Sequence, residues 1–156
     1  MRFAFVVPAT VLCGLSALFN ASVASTADSS RQAEVSARGA EVMPFDLNAT
    51  THLFTKTSNG GVQQVVARNP KNRTQIKLIR EHLHDIADQF GKRNFSAPTH
   101  IHGTEMPGLA QLKKAKPGEI SIHYKDLSNG GEVQYSTANV SLVSALHRWF
   151  DAQLSD

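Results

Sequence analysis

A chain of 156 residues, 41% hydrophobic and 19% charged, has room for one domain with a real core and excludes a fibrous or repetitive architecture. Its net charge of +3, from 16 basic and 13 acidic side chains spread along the sequence, is too small to mark a nucleic-acid-binding or membrane-surface protein. The only cysteine, Cys13, lies in an apolar leader, so thiolate metal sites and cysteine nucleophiles are excluded from the rest of the chain.

Arg2 followed by the apolar run from Phe3 to Phe19 reads as a secretory signal peptide over 1–24, with small residues at Ser22 and Ala24 placing cleavage before Ser25. A membrane anchor is the alternative, but the run is near the lower length limit for a span. The expected setting is therefore exported, periplasmic or secreted. From Ser25 to Val42 the residues are Ser, Ala, Gln, Glu and Arg without an apolar period, which reads as a flexible tail. A single α+β domain is expected over 43–156.

Within it, Thr50 to Lys56 and Val62 to Ala67 read as strands flanking Ser58-Asn59-Gly60-Gly61, a hairpin signal because tight turns that match strand twist need positive φ. Gln75 to Phe90 carries Ile76, Ile79, Leu83, Ile86 and Phe90 at helical spacing, and Gly91 is its stop. A connector follows, holding Thr99-His100-Ile101-His102-Gly103 as loop or extended chain, then a short helix around Pro107 to Lys114. Glu119 to Lys125 alternates as a half-buried strand, Ser128-Asn129-Gly130-Gly131 repeats the earlier four letters, and Val133, Tyr135 and Thr137 continue inward on the return strand. Asn139 then opens a helix with Leu142, Leu146, Trp149 and Phe150.

Each half thus reads strand, Asn-Gly-Gly turn, strand, helix. The expectation is a duplicated ββα unit: a four-stranded antiparallel sheet with both helices on one face, Leu83-His84-Asp85 aligned with Leu146-His147-Arg148.

Seven histidines lie beyond the leader. Imidazole binds Cu and Zn, and a thioether favours copper, so His100 and His102 with Met106, His52 and His147 form the candidate metal set, copper first and zinc second. Two imidazoles alone rarely hold an ion, so a third donor must come from His52, Met106 or His147. His82 and His84, two apart on a helix, cannot serve one site and read as boundary residues, while His123 falls on the solvated strand face. This points to a small exported binding protein for a metal ion or small ligand, copper through the His-x-His connector, with no nucleic acid and no membrane after signal cleavage. Two alternatives are an exported enzyme using His102 or His147 as general base, assisted by Glu105 or Asp151 or by a metal-bound water, and an interaction module without ligand. No Gly-x-Ser-x-Gly elbow, His-Glu-x-x-His helix or phosphate-binding glycine loop occurs. Sequons begin at Asn48, Asn72, Asn94 and Asn139, where turn and capping chemistry already favours Asn.

Met43-Pro44-Phe45-Asp46-Leu47, Thr50-Thr51-His52, Ile101 to Leu109 and Ala145 to Leu154 together resemble a family of small exported bacterial proteins often labelled aspartate carbamoyltransferase. The resemblance covers nearly all of the chain after the leader and brings no catalytic residues with it. The Ser-Thr-Arg-Thr and His-Pro-x-Gln motifs of the carbamoyltransferases themselves do not occur here.

Overall fold

The two Asn-Gly turns each close a hairpin, and the hairpins join edge to edge. The computed structural model describes residues 21–155 of the chain; the leader over 1–20, and with it most of the expected signal peptide, lies outside the described residues. In chain order the elements are α1 (Ala21–Val42), a 3-10 turn (Leu47–Ala49), β1 (Thr50–Thr57), β2 (Gly60–Ala67), α2 (Arg73–Gly91), α3 (Ser96–His102), α4 (Leu109–Lys114), β3 (Ser121–Leu127), β4 (Gly130–Ser136) and α5 (Val140–Ser155). The sheet is antiparallel throughout, in the order β1-β2-β4-β3. This is the α+β architecture expected from the repeated hairpins. Among the described residues no helix is long and apolar enough to cross a membrane.

Directly opposed residues of an antiparallel pair share a face, so register fixes what each side buries. Val65 lies opposite Gly131 and Gly61 opposite Tyr135, which puts both hairpins' second glycines on the same face. A Cβ on Gly61 would lie 2.3 Å from Phe150 of α5, and one on Gly131 would lie 3.1 Å from Leu83 of α2. Both long helices therefore sit on one face. Each is seated on the other half's hairpin: α2, following the first hairpin, covers the second, and α5, following the second, covers the first.

Polar contacts repeat the exchange at positions seventy residues apart. His147 of α5 donates from Nε2 to the carbonyls of Thr57 (3.0 Å) and Gly60 (2.9 Å). Arg80 of α2 donates to the carbonyls of Leu127 (2.5 Å) and Gly130 (3.1 Å), the corresponding pair in the second turn. The Asn59 carbonyl accepts from Thr137 N–H, and the Asn129 carbonyl from Ala67 N–H. The halves are thus pseudo-symmetric and interlocked. Their helices correspond with Arg80 against His147 and Leu83 against Phe150, one turn away from the expected match of Leu83 with Leu146. The caps set this offset, because Asn72 accepts from Gln75 N–H and Asn139 from Ser141 N–H, and Asn72 comes five residues after Ala67 whereas Asn139 comes two after the equivalent Thr137.

The core between sheet and helices centres on Trp149, Tyr135, Phe150, Ile79 and Leu83, all almost fully buried, with Phe90 stacked on Phe95 at 4.7 Å between centroids. The opposite sheet face is open and polar. There Glu132 is only 4% exposed, its carboxylate accepting from Gln64 (2.5 Å), Gln134 (2.7 Å) and Lys125 (2.9 Å). Burial pushes its pKa up, and these donors outweigh that and hold it below the ordinary value.

Two stretches differ from the sequence expectation. Residues 25–42, read as a flexible tail, belong to α1, which docks by a narrow stripe of Val35, Gly39 and Val42 rather than a broad apolar face; the Arg38–Glu34 pair at 2.5 Å supports its polar side. The His-x-His stretch, read as loop or extended, is α3. Asn94 accepts from Ser96 N–H at 3.1 Å, Pro98 falls in the first turn where its missing N–H is harmless, and Gly103 at φ 94° ends the helix.

The glycine seats give the first test. Gly61→Ala forces Phe150 and the Thr55 carbonyl apart and should cost about 2 kcal/mol or more, whereas Gly131→Ala meets only side-chain ends at 3.0 Å and beyond and should cost less than about 1 kcal/mol. Urea unfolding of the two variants checks the ranking.

Candidate functional site: a crevice beside the first helix

The expected metal donors are dispersed by the fold. His100 is exposed on α3, its Nε2 2.9 Å from the Glu41 carboxylate of α1. His102 ends the same helix, and residues two apart on a helix project about 200° from one another, so α3 does not turn both rings to one ion. Met106 is 6% exposed and packed in the core just before α4. The Nε2 of His147 carries a proton, since both its partners are carbonyl acceptors. His52 lies on the helix-covered face opposite Val65, its ring edge-on to Phe45 at 5.8 Å. Of the five expected donors, the structure brings only His52 and His102 to the walls of one space. Among the described residues no group of three or more His, Cys, Asp or Glu is placed to hold a metal ion.

The carboxylates named for a general base are engaged apart from these rings. Asp151 pairs with Lys56 at 2.5 Å, and Glu105 accepts from the Thr104 hydroxyl at 3.2 Å. His123 keeps to the open sheet face beside Ser121, as its strand alternation required.

The space lined by His52 and His102 is the outer of two adjoining chambers that share walls and together form a crevice. The inner one, about 50 Å³, is walled by His82, Phe90, Ala97, Pro98, Trp149 and Gln153 among others. The outer one, about 180 Å³, lies against α1 and reaches His52, His102 and Leu154. Met43, Phe54, Gln63, Ile101 and Gln153 belong to both. Among the described residues no Lys, Arg, Asp or Glu lines either chamber. A larger hollow beside the turns is more open to solvent and is lined by loop residues such as Ser136 to Asn139.

Three features make the crevice more than a packing fault. First, the Trp149 indole Nε1 and the Gln153 side-chain Nε2 are buried and have no acceptor among the described residues. A buried N–H without a partner costs about 1–3 kcal/mol, and native folds leave few of them. Second, Trp149 and Gln153 are four apart on α5, so both donors lie on one face of that helix, the face toward the crevice. Third, the imidazoles of His52 and His82 in its walls are neutral at pH 7. Burial, with the nearby His82 adding to it, lowers the His52 pKa to about 4; burial also lowers that of His82, partly opposed by Asp85. Gln63 is fixed from beneath, its carbonyl oxygen accepting from the Tyr135 hydroxyl at 2.8 Å.

Of these residues the sequence pointed to His52 and His102 alone. Trp149 read as core, which its ring is, with centroid contacts to Phe90, Tyr135 and Phe150 between 5.6 and 5.8 Å. The available signal was Gln153, a carboxamide one turn beyond Trp149 on the apolar side of α5. No family model matches the chain, and comparison with curated proteins and with solved structures gives no match either.

The imidazole burial has a measurable consequence. Unfolded histidine titrates near 6.5, so below that pH the unfolded chain takes up a proton that folded His52 refuses until about pH 4. Stability is therefore complete above about 6.5 and is lost as pH falls toward 4, by about 2 kcal/mol from His52 at pH 4.5, with His82 acting in the same direction. Urea unfolding from pH 7 to 4.5 should show this decline, and His52→Gln should flatten it. An unchanged slope in the variant would contradict the assignment.

Proposed function

We propose that the protein is a binding protein for a small, largely apolar molecule held in the crevice between α1, α3, α5 and the helix-covered face of the sheet. The observation that carries this reading is the pair of acceptor-less donors, Trp149 Nε1 and Gln153 Nε2, buried in the walls of a largely apolar space that no Lys, Arg, Asp or Glu of the described residues lines. Binding sites are commonly apolar clefts with a few convergent polar groups. The crevice falls well below the roughly 300 Å³ at which drug-sized pockets begin, so the ligand is small.

Access is through α1. Among the described residues that helix meets the body of the protein through Arg31, which donates to the His102 carbonyl at 2.9 Å, through Glu41 with His100 at 2.9 Å, and through Gly39 against Leu47. The apolar leader from Phe3 to Phe19 supports an exported setting, where such a protein would meet its ligand.

A ligand that binds only the folded state raises the melting temperature, by the equivalent of about 2.7 kcal/mol at a hundred times its dissociation constant. Small apolar molecules should do this for the wild type and not for Ala97→Phe, which fills the inner chamber and whose own melting transition verifies its fold. No shift in the wild type, or an equal shift in the variant, would overturn the proposal.

A further inference from the structure

The crevice reading leaves open which chemistry is selected, and the polar groups in its walls narrow that choice. The indole N–H only donates, and the second acceptor-less nitrogen is also a donor, the carboxamide of Gln153. Trp149 is 1% exposed, so water in bulk does not satisfy it. A ligand group entering the inner chamber gains most by presenting an acceptor oxygen. It gains nothing from being charged, because among the described residues no Lys or Arg lines either chamber and a carboxylate would lose its hydration without a countercharge. The outer chamber, walled by Val35, Met43, Leu47, Phe54 and Ile101, suits a hydrocarbon chain. At about the 30 Å³ that a water molecule occupies in the liquid for each methylene, it accommodates roughly six carbons.

Resting on the crevice as the binding site, we propose that the ligand class is neutral: a short aliphatic carbonyl or ether compound, its oxygen accepting from Trp149 and Gln153 and its chain lying toward α1. Selection works by what each wall denies. An alkane leaves both donors unsatisfied, and a carboxylate is excluded by its charge.

Trp149 is the only tryptophan, so the full-length protein has a single indole N–H resonance, located at the site. We would titrate it at pH 8 with 2-hexanone, hexanoate and hexane, following that resonance by proton–nitrogen correlation spectroscopy. The expected result is saturable binding of 2-hexanone with a downfield shift of the indole proton, at least about tenfold tighter than hexanoate and tighter than hexane. Gln153→Leu, apolar and of similar length, should weaken 2-hexanone and narrow its advantage over hexane. Equal affinities for all three, tighter hexanoate, or binding of 2-hexanone without movement of the indole proton would overturn the ligand class while leaving the crevice as a binding site. Absence of binding by all three would overturn both.

Discussion

The seating of each long helix on the other half's glycine hairpin is the constraint on which the rest of the structure depends. At Gly61 and Gly131 the sheet has no side chain, and Phe150 and Leu83 occupy the hollows. The same helices then clamp the turns, His147 over Thr57 and Gly60 and Arg80 over Leu127 and Gly130. Neither ββα half closes its own core, so the two fold as one unit. The exchange also explains why the turn letters repeat: the Asn supplies a carbonyl to the partner hairpin, the first glycine lets the neighbouring strand's carbonyl approach, and the second admits a helix.

That interlock fixes the crevice. With α5 anchored over the first hairpin by Phe150 and His147, Trp149 of the same turn and Gln153 of the next are held over the sheet, where Phe54 and Gln63 line the same space. The connector between the halves packs α3 across this gap, and α1 forms the outer wall. Polar groups are therefore held in the walls of a space whose floor is core. Neutral imidazoles follow from the same burial, since water is excluded from His52 and His82 more fully than any carboxylate compensates.

Period-two and helical apolar patterns made the antiparallel sheet, its two hairpins and both long helices legible from residues alone, because burial on one face leaves a regular signature. α1 escaped because its docking stripe is Val35, Gly39 and Val42, a seam of small contacts that composition scores as polar. The connector helix escaped although its signals were present in Asn94, Pro98 and Gly103; the two histidines drew attention to ligand spacing instead of local capping. Placement on a helix is what separates His100 from His102. The donors now singled out, Trp149 and Gln153, could not be read from sequence, since whether a buried N–H finds an acceptor is decided by tertiary packing and not by residue type.

The central claim is that these two nitrogens await an acceptor from outside the chain. A high-resolution crystal structure of the full protein grown with 2-hexanone tests it most directly. The account predicts electron density in the inner chamber with an oxygen about 3 Å from the Trp149 or Gln153 nitrogen and a chain running toward α1. Both nitrogens bonded to acceptors within the protein, with the chamber closed around them, would contradict it.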